Sequence, residues 1–171
     1  MKEELDQIIK MLNSWERRVL KCVDAHYESE RIFKRFNFLI GIPTIILAAI
    51  ISAVSFYYIG KTVLLWVQMT VGFLGLFQFV LSALHTWLGY SELAIRHHKA
   101  GSDYAALRRR IEQLKNLPAY ITEDSITEVR ESIDKLSKEA PTIPGRVWKK
   151  TQIAFRGHGT ADGDVLIPDQ M

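Results

Sequence analysis

Charge is missing from two long stretches of this 171-residue chain: no Asp, Glu, Lys or Arg occurs from Phe36 to Gly60, or from Thr62 to Ser91. Elsewhere charge is plentiful, so the whole-chain values of 24% charged residues and a net charge of +3 hide the division. Such segregation argues against one ordinary globular core. Cysteine is nearly absent as well. Cys22 alone cannot form an intramolecular disulfide, and a lone thiol among charged residues fits a reducing compartment. The start of the chain lacks a basic and then apolar leader, since Met1 to Met11 carries Glu3, Glu4 and Asp6. The first apolar run is therefore expected to serve as its own insertion signal. Common catalytic motifs are missing too: there is no phosphate-binding Walker loop, no GxGxxG, no GxSxG, no HExxH and no CxxC. No enzyme, no catalytic residue and no cofactor is expected. Nor is a metal: His97 and His98 are adjacent and point to different sides of a helix, while His158 lies far off in a glycine-rich tail.

The two uncharged stretches are filled with bulky apolar residues. Phe36 to Ile59 holds thirteen Ile, Leu, Val or Phe residues, and Val63 to Leu84 also holds thirteen. About 20 such residues at about 1.5 Å each cross the roughly 30 Å core of a bilayer. The expected fold class is an all-α integral membrane protein: a two-transmembrane helical hairpin with long cytosolic helices before and after it. The spans are placed at about 36–59 and 63–87, joined by a turn at 60–62 in which Gly60 supplies the backbone freedom. Pro43 lies in the first turns of the first span, where its missing donor costs least. Arg31, Lys34 and Arg35 precede the first span, Arg96 and Lys99 follow the second, and the turn has only Lys61. By the positive-inside rule both termini are expected to face the cytoplasm. Trp66 and Trp87 lie 21 residues apart, about 31 Å along a helix, which suits the two interfaces of a bilayer.

Outside the hairpin, four further segments are expected. A cytosolic N-terminal helix covers 1–35, where Leu5, Leu12, Val19, His26 and Phe33 recur every seven residues beside Ile8, Trp15 and Cys22. Residues 91–117 continue the second span without a break until Pro118. Here Tyr90, His97, Tyr104 and Ile111 form one row, with Gly101 and Leu114 in the next. C-terminal helices occupy 122–155, opened by a capping box of Ser125 with Glu128 and bounded by Pro141 and Pro144. The tail, 156–171, reads as flexible. Trp15, His26, His97, Gly101 and Tyr104 are assigned to packing among the cytosolic helices.

Inside the apolar runs the polar and small residues are not scattered. At 100° per residue, Gln68, Gly72, Gly75, Gln78, Ser82, His85, Thr86 and Gly89 fall within an arc of about 140°. In the first run Asn37, Gly41, Thr44, Ala48, Ser52 and Ser55 fall within about 80°. Gly41, Thr44, Ala48, Ser52 and Ser55 are assigned to hairpin packing, since small residues let helices approach. Two readings of the second stripe stay open. It packs helices, or Gln68, Gly72, Gly75, Gln78, Ser82 and His85 line a water-filled path in a homo-oligomer, because one hairpin cannot enclose a pore. Arg96, Lys99, Arg108, Arg109, Arg110, Lys149 and Lys150 are candidate contacts for lipid headgroups, other anions or a nucleotide, with a solvated helix face as the plainer account. No recognition motif accompanies them, so no nucleic acid partner is expected.

One family joins these features. The N-terminal helix with Trp15 and His26, the hairpin with its minimal turn, the run Leu93, Ala94, His97, His98, Gly101, Tyr104, Leu107 and the proline pair before Trp148 resemble the SLATT family over about residues 5 to 155. The chain would then be a single SLATT-like domain overall. These are two-transmembrane effectors found beside nucleotide-second-messenger enzymes and SLOG-type sensors in bacterial conflict systems. The resemblance implies a pore-forming or membrane-disrupting effector that kills or arrests the cell during phage infection, gated through its cytosolic helices. It implies the bilayer, further copies of the chain, and a nucleotide second messenger or a partner sensor protein as partners, and it carries over no catalytic residue. A passive two-span anchor or scaffold that recruits a cytosolic partner is the alternative.

Overall fold

The computed structural model describes residues 2–157, and among them every regular element is helical. The helices are α1 (Lys2–Tyr57), α2 (Leu65–Leu88), α3 (Tyr90–Asn116), a 3-10 turn (Pro118–Tyr120), α4 (Glu123–Glu139) and α5 (Gly145–Gly157). The tail expected to be flexible lies outside the described residues, except for the last turn of α5. Two compact units form, one from residues 2–29 and 98–157 and the other from Glu30–His97.

The first unit is a helical core. Leu12, Val19 and Val23 of α1 cluster with Tyr104, Leu107, Ile111 and Leu114 of α3 and with Val129 and Ile133 of α4. The seven-residue spacings within α1 and α3 place these side chains on one stripe of each helix, and burying the stripes is the main stabilising term. Trp15 and Cys22 pack at the margin, and desolvation raises the Cys22 thiol above its usual range. Glu16 receives Lys115, and Glu128 receives Arg110. Helix α3 stops ahead of Pro118, whose ring disfavours helix in the residue before it. The capping box of α4 differs from the expected one. Thr122 is the N-cap, its hydroxyl accepting from Ser125 N while Ser125 Oγ accepts from Thr122 N. The helix begins three residues earlier than the Ser125 and Glu128 pair implied, because Glu123 and Asp124 suit the first turn at the positive end of the dipole.

The second unit is an apolar hairpin. Both of its arms belong to helices long and apolar enough to cross a membrane, and almost none of the most apolar stretch of either is buried. Two boundaries differ from expectation. Helix α1 itself runs unbroken through residues 35–36, where the cytosolic segment is expected to pass into the first span, because a change from charged to apolar side chains leaves the backbone helical, and Pro43 sits inside it. Thr44, next in sequence, turns its hydroxyl back onto Ile40 O at 2.7 Å, as Ser and Thr do where the helical ladder is interrupted. The connection is Tyr58–Leu64 rather than three residues, with Gly60 in the left-handed region at φ 74° and Lys61 over the Tyr57 ring at 3.6 Å. Finally, α2 does not run on into α3. Gly89 adopts φ 56° and ψ 30°, a left-handed cap that ends α2, and α3 restarts at Tyr90.

Candidate functional site: the polar face of the hairpin

The hairpin seam is built from half-buried positions at helical spacing: Asn37, Ile40, Gly41, Leu47, Ala48 and Ile51 on α1, with Thr44 buried, against Val67, Val71, Gly75, Gln78, Leu81, His85 and Leu88 on α2. Two polar contacts hold it. Gln78 Nε2 donates to Thr44 O at 2.8 Å, and Asn37 Oδ1 accepts from His85 Nε2 at 3.0 Å. The contacts are seven residues apart on each helix and run in opposite senses, so the arms are antiparallel. Close approach is needed at Gly41, where an added Cβ would stand 3.4 Å from His85 Nε2. Gln78 Oε1 is buried with no partner.

The six residues nominated as a pore lining thus divide. Gly75, Gln78 and His85 are half-buried in the seam, whereas Gln68, Gly72 and Ser82 are exposed on the outward side of α2. Thr86 joins that outward row, its hydroxyl donating to Ser82 O at 3.0 Å. Phe79, Ala83 and Trp87 are exposed along the same side. Of the five residues assigned to hairpin packing, Gly41, Thr44 and Ala48 lie in the seam. Ser52 and Ser55 are exposed, and Ser55 donates only to its own helix, at Ile51 O.

Beyond the seam, rings stack around the start of α3. Phe33 lies 5.3 Å from His97 and 6.1 Å from Tyr90, and Phe36 lies 5.6 Å from Tyr90. His97 is 1% exposed, and burial holds its pKa below the ordinary value of 6.5. A histidine whose folded pKa is lowered gives stability that is complete above its unfolded pKa and is lost as pH falls through the folded value. The unfolding midpoint is therefore expected to decline as pH falls below about 6.5, and to decline less in His97→Gln. Equal slopes in parent and variant in a pH series of thermal melts would remove His97 from this role.

In the first unit His26 stacks on Tyr104 at 5.5 Å, and burial raises the Tyr104 hydroxyl above its usual pKa. Gly101 lies against the Tyr27 ring, and Tyr27 meets His98 edge-on at 5.9 Å. Sequence periodicity singled out His26, Gly101 and Tyr104 but not Tyr27, the partner that makes the glycine matter. The nominated cations do not gather into one anion site. Arg96 pairs with Glu92, Arg108 with Glu112, Arg110 with Glu128 and Lys150 with Glu28. Among the described residues Lys99, Arg109 and Lys149 make no ion pair. Comparison with protein-family models, curated proteins and solved structures returns no match.

Proposed function

We propose that the chain is a two-span protein of the bacterial inner membrane, with both termini cytoplasmic, whose hairpins assemble into a homo-oligomeric pore. In this reading it is a SLATT-type effector of an antiphage conflict system, not an enzyme, and its cytosolic helices answer a nucleotide second messenger or a partner sensor protein. One observation carries the reading. Closing the hairpin leaves Gln68, Gly72, Ser82 and Thr86 as an exposed row on α2. In hydrocarbon an unpartnered amide costs several kcal/mol, roughly, so this row calls for another helix or for water. A ring of hairpins with the row turned inward supplies both.

Expression is then expected to depolarise the membrane, as followed with a potential-sensitive dye. Gln68→Leu with Gln78→Leu should lower the leak several-fold without preventing assembly, and the single Gln68→Leu variant should carry most of the loss. Unchanged leakage in an assembled double variant would take Gln68 off the pore wall. The anchor reading draws on a different observation, that Gln78 and His85 are already engaged inside the hairpin. Grafting the cytosolic segments onto an unrelated two-span hairpin separates the two. An anchor keeps its activity after the graft and a pore loses it.

A further inference from the structure

Helix α5 has two unlike faces. Val147 and Thr151 are buried, and Trp148 and Phe155 are half-buried. On the opposite side Arg146, Lys149, Lys150 and Ile153 are exposed and share an arc of about 100°. Ile153, 69% exposed, sits among the cations. No acidic residue occurs between Gly145 and Gly157. Lys150 reaches Glu28 at 2.6 Å yet keeps its side chain 73% exposed, while Arg146 and Lys149 make no ion pair among the described residues.

This face stands out against the rest of its unit. On α3 the cations Arg108, Arg110 and Lys115 are matched by glutamates. Helix α4 carries six acids against three bases, whereas α5 carries four bases and no acid. A negatively charged surface would attract α5 and repel α4. The face is convex, with an apolar side chain at its middle. A small phosphate-bearing ligand makes no use of Ile153, but a bilayer surface takes both the cations, at its phosphates, and the isoleucine, at the base of the headgroups.

We propose that the outer face of α5 is a docking surface for the anionic phospholipid headgroups of a bilayer. The inference rests on the reading of the hairpin as membrane-spanning, which keeps a bilayer within reach of the chain. Each cation near an anionic surface adds about fivefold to affinity at physiological salt, so Arg146, Lys149 and Lys150 together set the lipid preference and Ile153 sets the depth.

The test uses the full chain with Cys22→Ser and a single label site, reconstituted in nanodiscs of phosphatidylcholine alone or with phosphatidylglycerol. An environment-sensitive dye on Ile153→Cys is expected to shift to the blue when phosphatidylglycerol is present. Salt should reverse the shift, and so should Arg146→Gln with Lys149→Gln. The same dye on Met69→Cys, in α2, reports whether the hairpin is immersed. Immersion at Met69→Cys with identical Ile153→Cys spectra in the two lipids overturns the docking surface and leaves the membrane reading intact. Loss of immersion at Met69→Cys overturns both. A spectral change at Ile153→Cys produced by soluble pyrophosphate in phosphatidylcholine nanodiscs, with none from phosphatidylglycerol, would assign the face to soluble anions and overturn the proposal.

Discussion

Ile111→Ala is expected to destabilise the first unit by about 2–5 kcal/mol, the cost typical of deleting a buried aliphatic side chain and leaving a cavity. Ile111 is 0% exposed, and so are Leu12 of α1 and Val129 of α4 in the same cluster. Three helices therefore meet at this residue. Leu107 and Leu114, one turn to either side on α3, belong to the same cluster. A denaturant titration of the detergent-solubilised protein, followed by protease resistance of the cytosolic core, reads the loss. Ile153→Ala is the matched control, and an exposed position should move stability by no more than about 0.5 kcal/mol. Equal midpoints for the two variants would show that the helices do not share this core.

Gly101→Leu is expected to destabilise by about 1–3 kcal/mol, against the direction that helix propensity alone would set. In an exposed helix interior a glycine replaced by a good helix former gains up to about 1 kcal/mol. Here a Cβ would stand 3.2 Å from Tyr27 Cε1 and 3.3 Å from Cδ1. The tyrosine ring can yield a few tenths of an ångström, so Gly101→Ala should come close to neutral as propensity and crowding offset one another. Leucine asks for more room than a ring in contact with both Gly101 and His98 can give. Tyr27→Ala supplies the discriminating background. If the clash is the cause, Gly101→Leu loses its penalty there, and the double-mutant cycle shows a coupling well above the error of an additive pair. Additive effects would assign the glycine another role.

Much of the architecture follows from one-dimensional signals. The uncharged runs foretell two apolar helices, Pro118 foretells the end of α3, and the seven-residue rows through Val19 and Ile111 foretell the stripes that pack. What escaped the sequence is conformational or angular. Gly89 sits in an apolar run of helical composition, and only its φ of 56° shows that the chain changes hand there. The S-x-x-E pattern at Ser125 matches a capping box as well as Thr122 with Ser125 does, and the start of α4 at Glu123 decides between them. The polar arc of α2 is wider than one neighbouring helix covers. Sequence alone could not say that its Gln78 edge would turn inward and its Gln68 edge stay out.

The left-handed residue at Gly89 also makes the two chain connections of the hairpin mechanically unlike. Helix α1 enters as a stiff shaft, so a rotation applied near Glu30 arrives at Asn37 two turns later almost undiminished. The other arm has a joint: a glycine takes either hand without steric cost, so the chain leaves α2 at Gly89 without carrying its helix onward. At the end of the hairpin nearer this joint, the two arms are tied to each other by the contact of Asn37 with His85.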